Sequence, residues 1–162
     1  MIVVADSGPL IHLSQVGLLH LIPALFDEVL VPRAVYQEVV IDGAGLPGSL
    51  ELKAATWAKV VETSLEPQLS LLLNSLDPGE VAAISLAVAT PGARLLIDDQ
   101  AGRHIAKQLQ LTVVGTLGLL LAAKQKHLLG EVAPVLEQLQ KGSFWLSRDL
   151  ILRVLEEAGE RS

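Results

Sequence analysis

The sequence predicts an α/β protein, a parallel sheet with helices on both faces. Three observations carry that prediction. Short apolar runs beginning near Ile2, Glu28, Arg94 and Leu111 each give way to a helical pattern. Strands that alternate with helices imply parallel pairing and a sheet covered on both sides. Several of these runs also end in a carboxylate or hydroxyl and then a turn, at the edge where open α/β sheets bind ligands.

The first run, Ile2-Val3-Val4-Ala5, reads as a buried strand closed by Asp6-Ser7-Gly8-Pro9. Gly8 and Pro9 cannot continue a strand, and Pro9 suits the first turn of a helix. Asp6 therefore stands where a parallel strand ends. Its competing role is capping that helix. Two short helices follow, Pro9 to Val16 and Gly17 to Phe26. Leu18, Leu19, Leu21, Ile22 and Leu25 supply more apolar surface than so short a pair readily buries, which predicts a homodimer.

Glu28 to Val31 is the next strand, and Pro32 opens a helix through about Val40, with Glu38 near its C-terminal end. A carboxylate there opposes the helix dipole unless something else uses it. Gly43-Ala44-Gly45-Leu46-Pro47-Gly48 is a literal GxGxxG, but it follows a helix where a dinucleotide site needs a strand, so it reads as a loop. Ser49 should cap a helix to Ala58. Lys59 to Glu62 should form an edge strand, and another helix should follow Pro67. Asp77-Pro78-Gly79-Glu80 then sets a helix start, with Asp77 as cap and Glu80 at the capping-box position.

Arg94 to Ile97 is a strand by composition and ends in Asp98-Asp99. Adjacent carboxylates repel unless solvent, Arg103 or a cation offsets them. Strand alternation points the two in different directions, so one should face the cleft and the other a helix N-terminus or Arg103. A helix from Ala101 to Leu109, a strand from Leu111 to Val114 and the turn Gly115-Thr116 lead to a helix ending near His127. Two further helices, near 131–140 and 147–158, complete a single domain over 1–162, with 130–162 as a C-terminal helical extension.

Composition bounds what this fold can do. The 162 residues are 51% hydrophobic and 19% charged, enough for a real core and incompatible with disorder. Without cysteine there is no disulfide, thiolate metal site or cysteine nucleophile. No apolar run suits a membrane span or signal peptide, which predicts a soluble cytoplasmic protein. A net charge of −6 means that a polyanion partner must meet a local basic patch or a metal ion.

On this order of elements Asp6, Asp98 or Asp99, and Thr116 gather at the carboxyl edge of the sheet, with Glu38 and Glu80 closing the group from flanking helices. Oxygen ligands without cysteine or paired histidines suit Mg²⁺ or Mn²⁺. Carboxylate-held metals activate water and stabilise charge on a phosphodiester. There is no GxSxG elbow and no HExxH spacing, and Asp6-Ser7-Gly8 is not an Asp-x-Asp nucleophile. A phosphoacceptor receiver is disfavoured because its acidic pair follows the first strand.

The chain resembles PIN-domain proteins, particularly the VapC-like group long catalogued as a domain of unknown function. The resemblance is carried by Val4 to Ile11, Pro32 to Val39 with Glu38, Asp77-Pro78-Gly79-Glu80, Leu95 to Asp99, Val114 to Gly118, and the tail Gly142 to Ser147. It implies a Rossmann-like three-layer α/β/α sandwich and metal-dependent cleavage of single-stranded RNA. It further implies catalytic positions at Asp6, Glu38, Glu80 and Asp98 or Asp99. Asp6, Glu80 and the Asp98-Asp99 pair are the metal candidates, and Ser7 and Thr116 are supporting hydroxyls. A small antitoxin protein would be the natural partner. The alternative is a non-catalytic nucleic-acid or protein-binding module on the same fold.

Overall fold

The structure is a computed structural model describing residues 1–142 and 144–161, apart from the Gln68 side chain. Ser143 of the tail motif therefore lies outside the described residues. Five parallel strands form one sheet in the order β3-β2-β1-β4-β5, with β1 Ile2–Ala5, β2 Glu28–Pro32, β3 Ala58–Val61, β4 Arg94–Leu96 and β5 Thr112–Val114. In register, Val4 pairs with Leu30 on one side and with Leu95 on the other. The chain reverses direction at β1, because β2 and β4 flank it, and a doubly wound sheet opens its binding crevice at such a point.

Strand alternation divides the core in two. Val3, Ala5, Val29, Val31 and Leu96 face one layer, where they pack with Leu10 and Leu13 of α1 (Ser7–Gln15) and Leu119 and Leu120 of α8 (Thr116–Gln125). Val4, Leu30 and Leu95 face the other, against Ala83, Ile84 and Ala87 of α6 (Pro78–Ala89) and Ala106 of α7 (Gln100–Gln108). These are the three layers of an α/β/α sandwich.

Several local expectations are corrected. The helix opened by Pro32 ends two residues past Val40, and its second half differs in type: α3 (Arg33–Tyr36) continues as a π-helical stretch, Gln37–Asp42. Glu38 is thus in mid-helix, and Gly43 supplies the stop. Ser49 is not a cap. Gly48, with φ 99°, precedes α4 (Ser49–Ala54) and donates its N–H to Glu51 Oε2 at 2.6 Å, while Ser49 Oγ donates to Val40 O. The helix after Pro67 is short, a 3₁₀ turn Pro67–Leu69 running into α5 (Ser70–Leu73). The apolar face of α2 (Leu21–Leu25) is used inside the chain: Leu19, Leu21 and Ile22 join the core beside α8. Of the five residues offered as grounds for a homodimer, only Leu18 and Leu25 stay half-buried.

Helices α9 (Ala133–Lys141) and α10 (Arg148–Glu157) add Val135, Leu136, Leu139 and Val154 to the α1–α8 layer. Glu160 fastens this region by accepting from Lys124 Nζ at 2.8 Å and from the Val132 and Ala133 amides at the start of α9. Among the described residues no helix is long and apolar enough to cross a membrane.

Candidate active site

Asp6 follows β1 and occupies the N-cap position of α1, yet its side chain makes no capping hydrogen bond. It is 3% exposed, and Oδ1 has no hydrogen-bond partner among the described residues. Capping alone thus does not account for it. Burial pushes its carboxyl up to about 7; the Ser7 backbone N–H opposes this, and the charges of Asp77, Glu38 and Asp98 add to it.

Glu80 performs the capping role read from sequence and leaves one oxygen over. Its N–H donates to Asp77 Oδ1 at 2.8 Å, and Oε1 accepts from the Asp77 N–H at 3.5 Å. Oε2 is buried without a partner. Burial, then the adjacent Asp77 and Asp99 carboxyls, push Glu80 up to about 9. Glu38 shares the pattern: Oε2 is buried and unpartnered. Its pKa is raised by burial and by the charges of Asp77 and Asp42, with the Ser7 hydroxyl opposing.

Asp98 and Asp99 diverge. Asp98 leaves β4 toward the α1–α8 layer, where Thr116 donates its N–H to Oδ1 at 2.7 Å and its hydroxyl to Oδ2 at 2.6 Å. His12 Nδ1 lies 2.9 Å from the same Oδ2. Asp99 instead caps α7, accepting from the Gly102 N–H at 2.9 Å, and lies beside Glu80. Arg103 pairs with neither acid; it donates to Ile97 O at 2.9 Å.

Three glycines make room for this arrangement. A Cβ on Gly79 would lie 2.7 Å from Glu38 Oε2, and one on Gly102 would lie 2.9 Å from Glu80 Oε2. One on Gly115 would lie 3.1 Å from Asp98 Oδ1. Gly79 and Gly102 are in the first turns of α6 and α7, so Glu38 and Glu80 each lie against a helix N-terminus, where the dipole favours negative charge. The structure thus sets Asp6 within electrostatic reach of Asp77, Glu38 and Asp98, joins Ser7 to Glu38, places Glu80 beside Asp77 and Asp99, and brings Thr116 in through Asp98. Sequence reasoning missed His12, and read Asp77 only as a cap. The signal for Asp77 was present, since a capping box fixes both of its carboxylates at one helix end.

The donor set is all hard oxygen, and three buried carboxylate oxygens lack partners. Both features fit a divalent cation in chemistry. Among the described residues no three acid or histidine groups form a closed ligand set. The fit is therefore one of donor type and unfilled acceptors.

A doubly wound parallel sheet with buried acids at its carboxyl edge defines the class, a Rossmann-like α/β sandwich. The family model described as a PIN domain matches residues 2–160, and the chain belongs to that family. PIN domains are generally nucleases and typically use divalent metals. No curated protein and no solved structure matches the chain.

Proposed function

We propose that this PIN domain, one domain over 1–162 with 130–162 as a helical extension, is a Mg²⁺- or Mn²⁺-dependent endoribonuclease acting on single-stranded RNA. The observation that carries the reading is the set of unpartnered buried oxygens on Asp6, Glu38 and Glu80. Buried carboxylates without hydrogen bonds are costly unless a cation or proton meets them. Asp6, Glu80 and one of Asp98 and Asp99 would hold the cation in this reading, with Glu38 completing the negative cleft. When bound, the ion lowers the pKa of water and offsets charge on the phosphodiester. Thr116 and His12 orient Asp98 through hydrogen bonds, and the Ser7 hydroxyl steadies Glu38.

The test is cleavage of a mixed RNA pool with Mn²⁺, comparing the wild type with Asp6→Asn. Cleavage by the wild type that falls at least a hundredfold in the variant supports the reading. RNA retention without cleavage by either protein would favour the non-catalytic module, which the absence of a closed ligand set among the described residues also suits. A small antitoxin-type protein over the acidic cleft and a homodimer belong to the same proposal. Sedimentation across micromolar concentrations decides the second.

A further inference from the structure

Beside the acidic cleft runs a groove of about 920 Å³, reaching from Asp98, Gln100 and Arg103 at the carboxyl edge of the sheet to Met1 and Arg94 at the amino edge. At the rise of an extended strand, Asp98 and Arg94 are about 13 Å apart along β4. The groove follows the β5 side, where the sheet ends.

Its charge is opposite to that of the whole chain. Arg94, Arg103, Lys126 and Arg153 line it, and Asp98 is its one acidic residue among those described. Among the described residues none of these four cations closes an ion pair. Four cations along one groove of a protein of net charge −6 are a local basic patch, with Lys126 alone near a carboxylate, that of Asp27.

The groove also holds an aromatic platform. Trp145 lines it and is 83% exposed. Its neighbours are anchored: the Phe144 ring lies 4.1 Å from the His12 ring, and Leu146 is buried in the core. A large indole left in solvent between two fixed residues has no packing reason and is presented to a ligand. Bases stack on such a face whatever their sequence, while flanking cations take the phosphates.

We infer that this groove is the path of a single-stranded nucleic acid, with bases on Trp145, phosphates on Arg94, Arg103, Lys126 and Arg153, and the strand led to the carboxylates past Asp98. The inference rests on the nuclease reading for where the strand goes, and on the groove alone for its binding. An acidic peptide is the competing occupant, but a peptide gives Trp145 no stacking partner of the kind a base supplies.

Binding is measured in EDTA, where a metal-dependent nuclease is silent, by anisotropy of a labelled oligouridylate of about 12 nucleotides. Trp57→Phe leaves Trp145 as the fluorescent reporter, and its emission should be quenched on binding. Trp145→Ala should weaken binding at least about fivefold, the lower end of a stacked base. Arg153→Gln and Arg94→Gln should each reduce the salt dependence of log K by about 0.7, one single-strand phosphate contact. Unchanged affinity and salt slope in all three variants would overturn the inference. So would binding of polyglutamate in place of oligouridylate. The two readings fail separately. Groove-dependent binding with no cleavage in Mn²⁺ removes the nuclease alone, whereas cleavage and binding untouched by all three variants remove the groove alone.

Discussion

At the scale of single residues, glycines decide whether the acids can come together. Glycine in a helix normally costs about 0.5–1 kcal/mol relative to alanine. Gly118, in α8, meets only Val114 Cγ1 at 3.7 Å, so Gly118→Ala should stabilise by about that amount. Gly102→Ala should do the reverse. Its Cβ would lie 2.7 Å from Ile97 Cδ1, which is fully buried, and 2.9 Å from Glu80 Oε2. Overpacking of this kind costs about 1–3 kcal/mol. Urea denaturation of the two variants checks the opposite signs, and a shared sign would contradict this account of Gly102.

At the scale of elements, the end of β4 sends two adjacent carboxylates to different helices. Asp99 caps α7 through a single amide, and asparagine caps about as well as aspartate. Asp99→Asn should leave the metal-free stability within about 0.5 kcal/mol of the wild type. Asp98 accepts from Thr116 twice and faces His12, and its partners are donors to a charged group. In Asp98→Asn the amide NH₂ meets the Thr116 hydroxyl or His12, and the charge-assisted bonds are lost. The loss should be about 1.5–3 kcal/mol. Thermal or urea unfolding without metal separates the two; equal losses would mean that the division of labour at this strand end is wrong.

At the scale of the whole molecule, the site should make the metal-free protein less stable as pH rises. A carboxyl whose pKa is raised by folding holds a proton that the unfolded chain has already released, so unfolding free energy falls with pH across that window. For Asp6 the window runs from 3.8 to about 7. For Glu80 it runs from 4.5 to about 9. Glu160 acts oppositely at acid pH. Its desolvation is outweighed by Lys124 and the Val132 and Ala133 amides, which hold it below its usual value, so its contribution is lost as pH falls. Melting temperature without metal should therefore decline from about pH 5 to pH 9, the interval these shifts define. Asp6→Asn should flatten the part below about 7 and leave the Glu80 part. Mn²⁺ should raise the wild-type melting temperature more at pH 8 than at pH 5, because it competes with protons for the same oxygens. Parallel pH profiles for the wild type and Asp6→Asn would take Asp6 out of the buried acid group.

The sequence by itself determined the strand-and-helix order, the parallel sheet and the chain positions of its acidic ends. Those follow from local patterns: apolar runs of strand length, prolines at helix starts, and a capping box at Asp77 and Glu80. It also showed that Asp98 and Asp99 diverge, since alternation along a strand requires it. Which acid meets which partner was decided only by tertiary structure. Glu38 and Gly79 are 41 positions apart in the chain and touch because α3 packs on α6. His12 reaches Asp98 across 86 positions. The extent of the Gln37–Asp42 stretch and the burial of Leu19, Leu21 and Ile22 were likewise invisible, because each depends on what the rest of the chain lays against it. Periodicity assigns a residue to a face; the neighbour on that face is fixed by packing between elements, which a linear pattern does not encode.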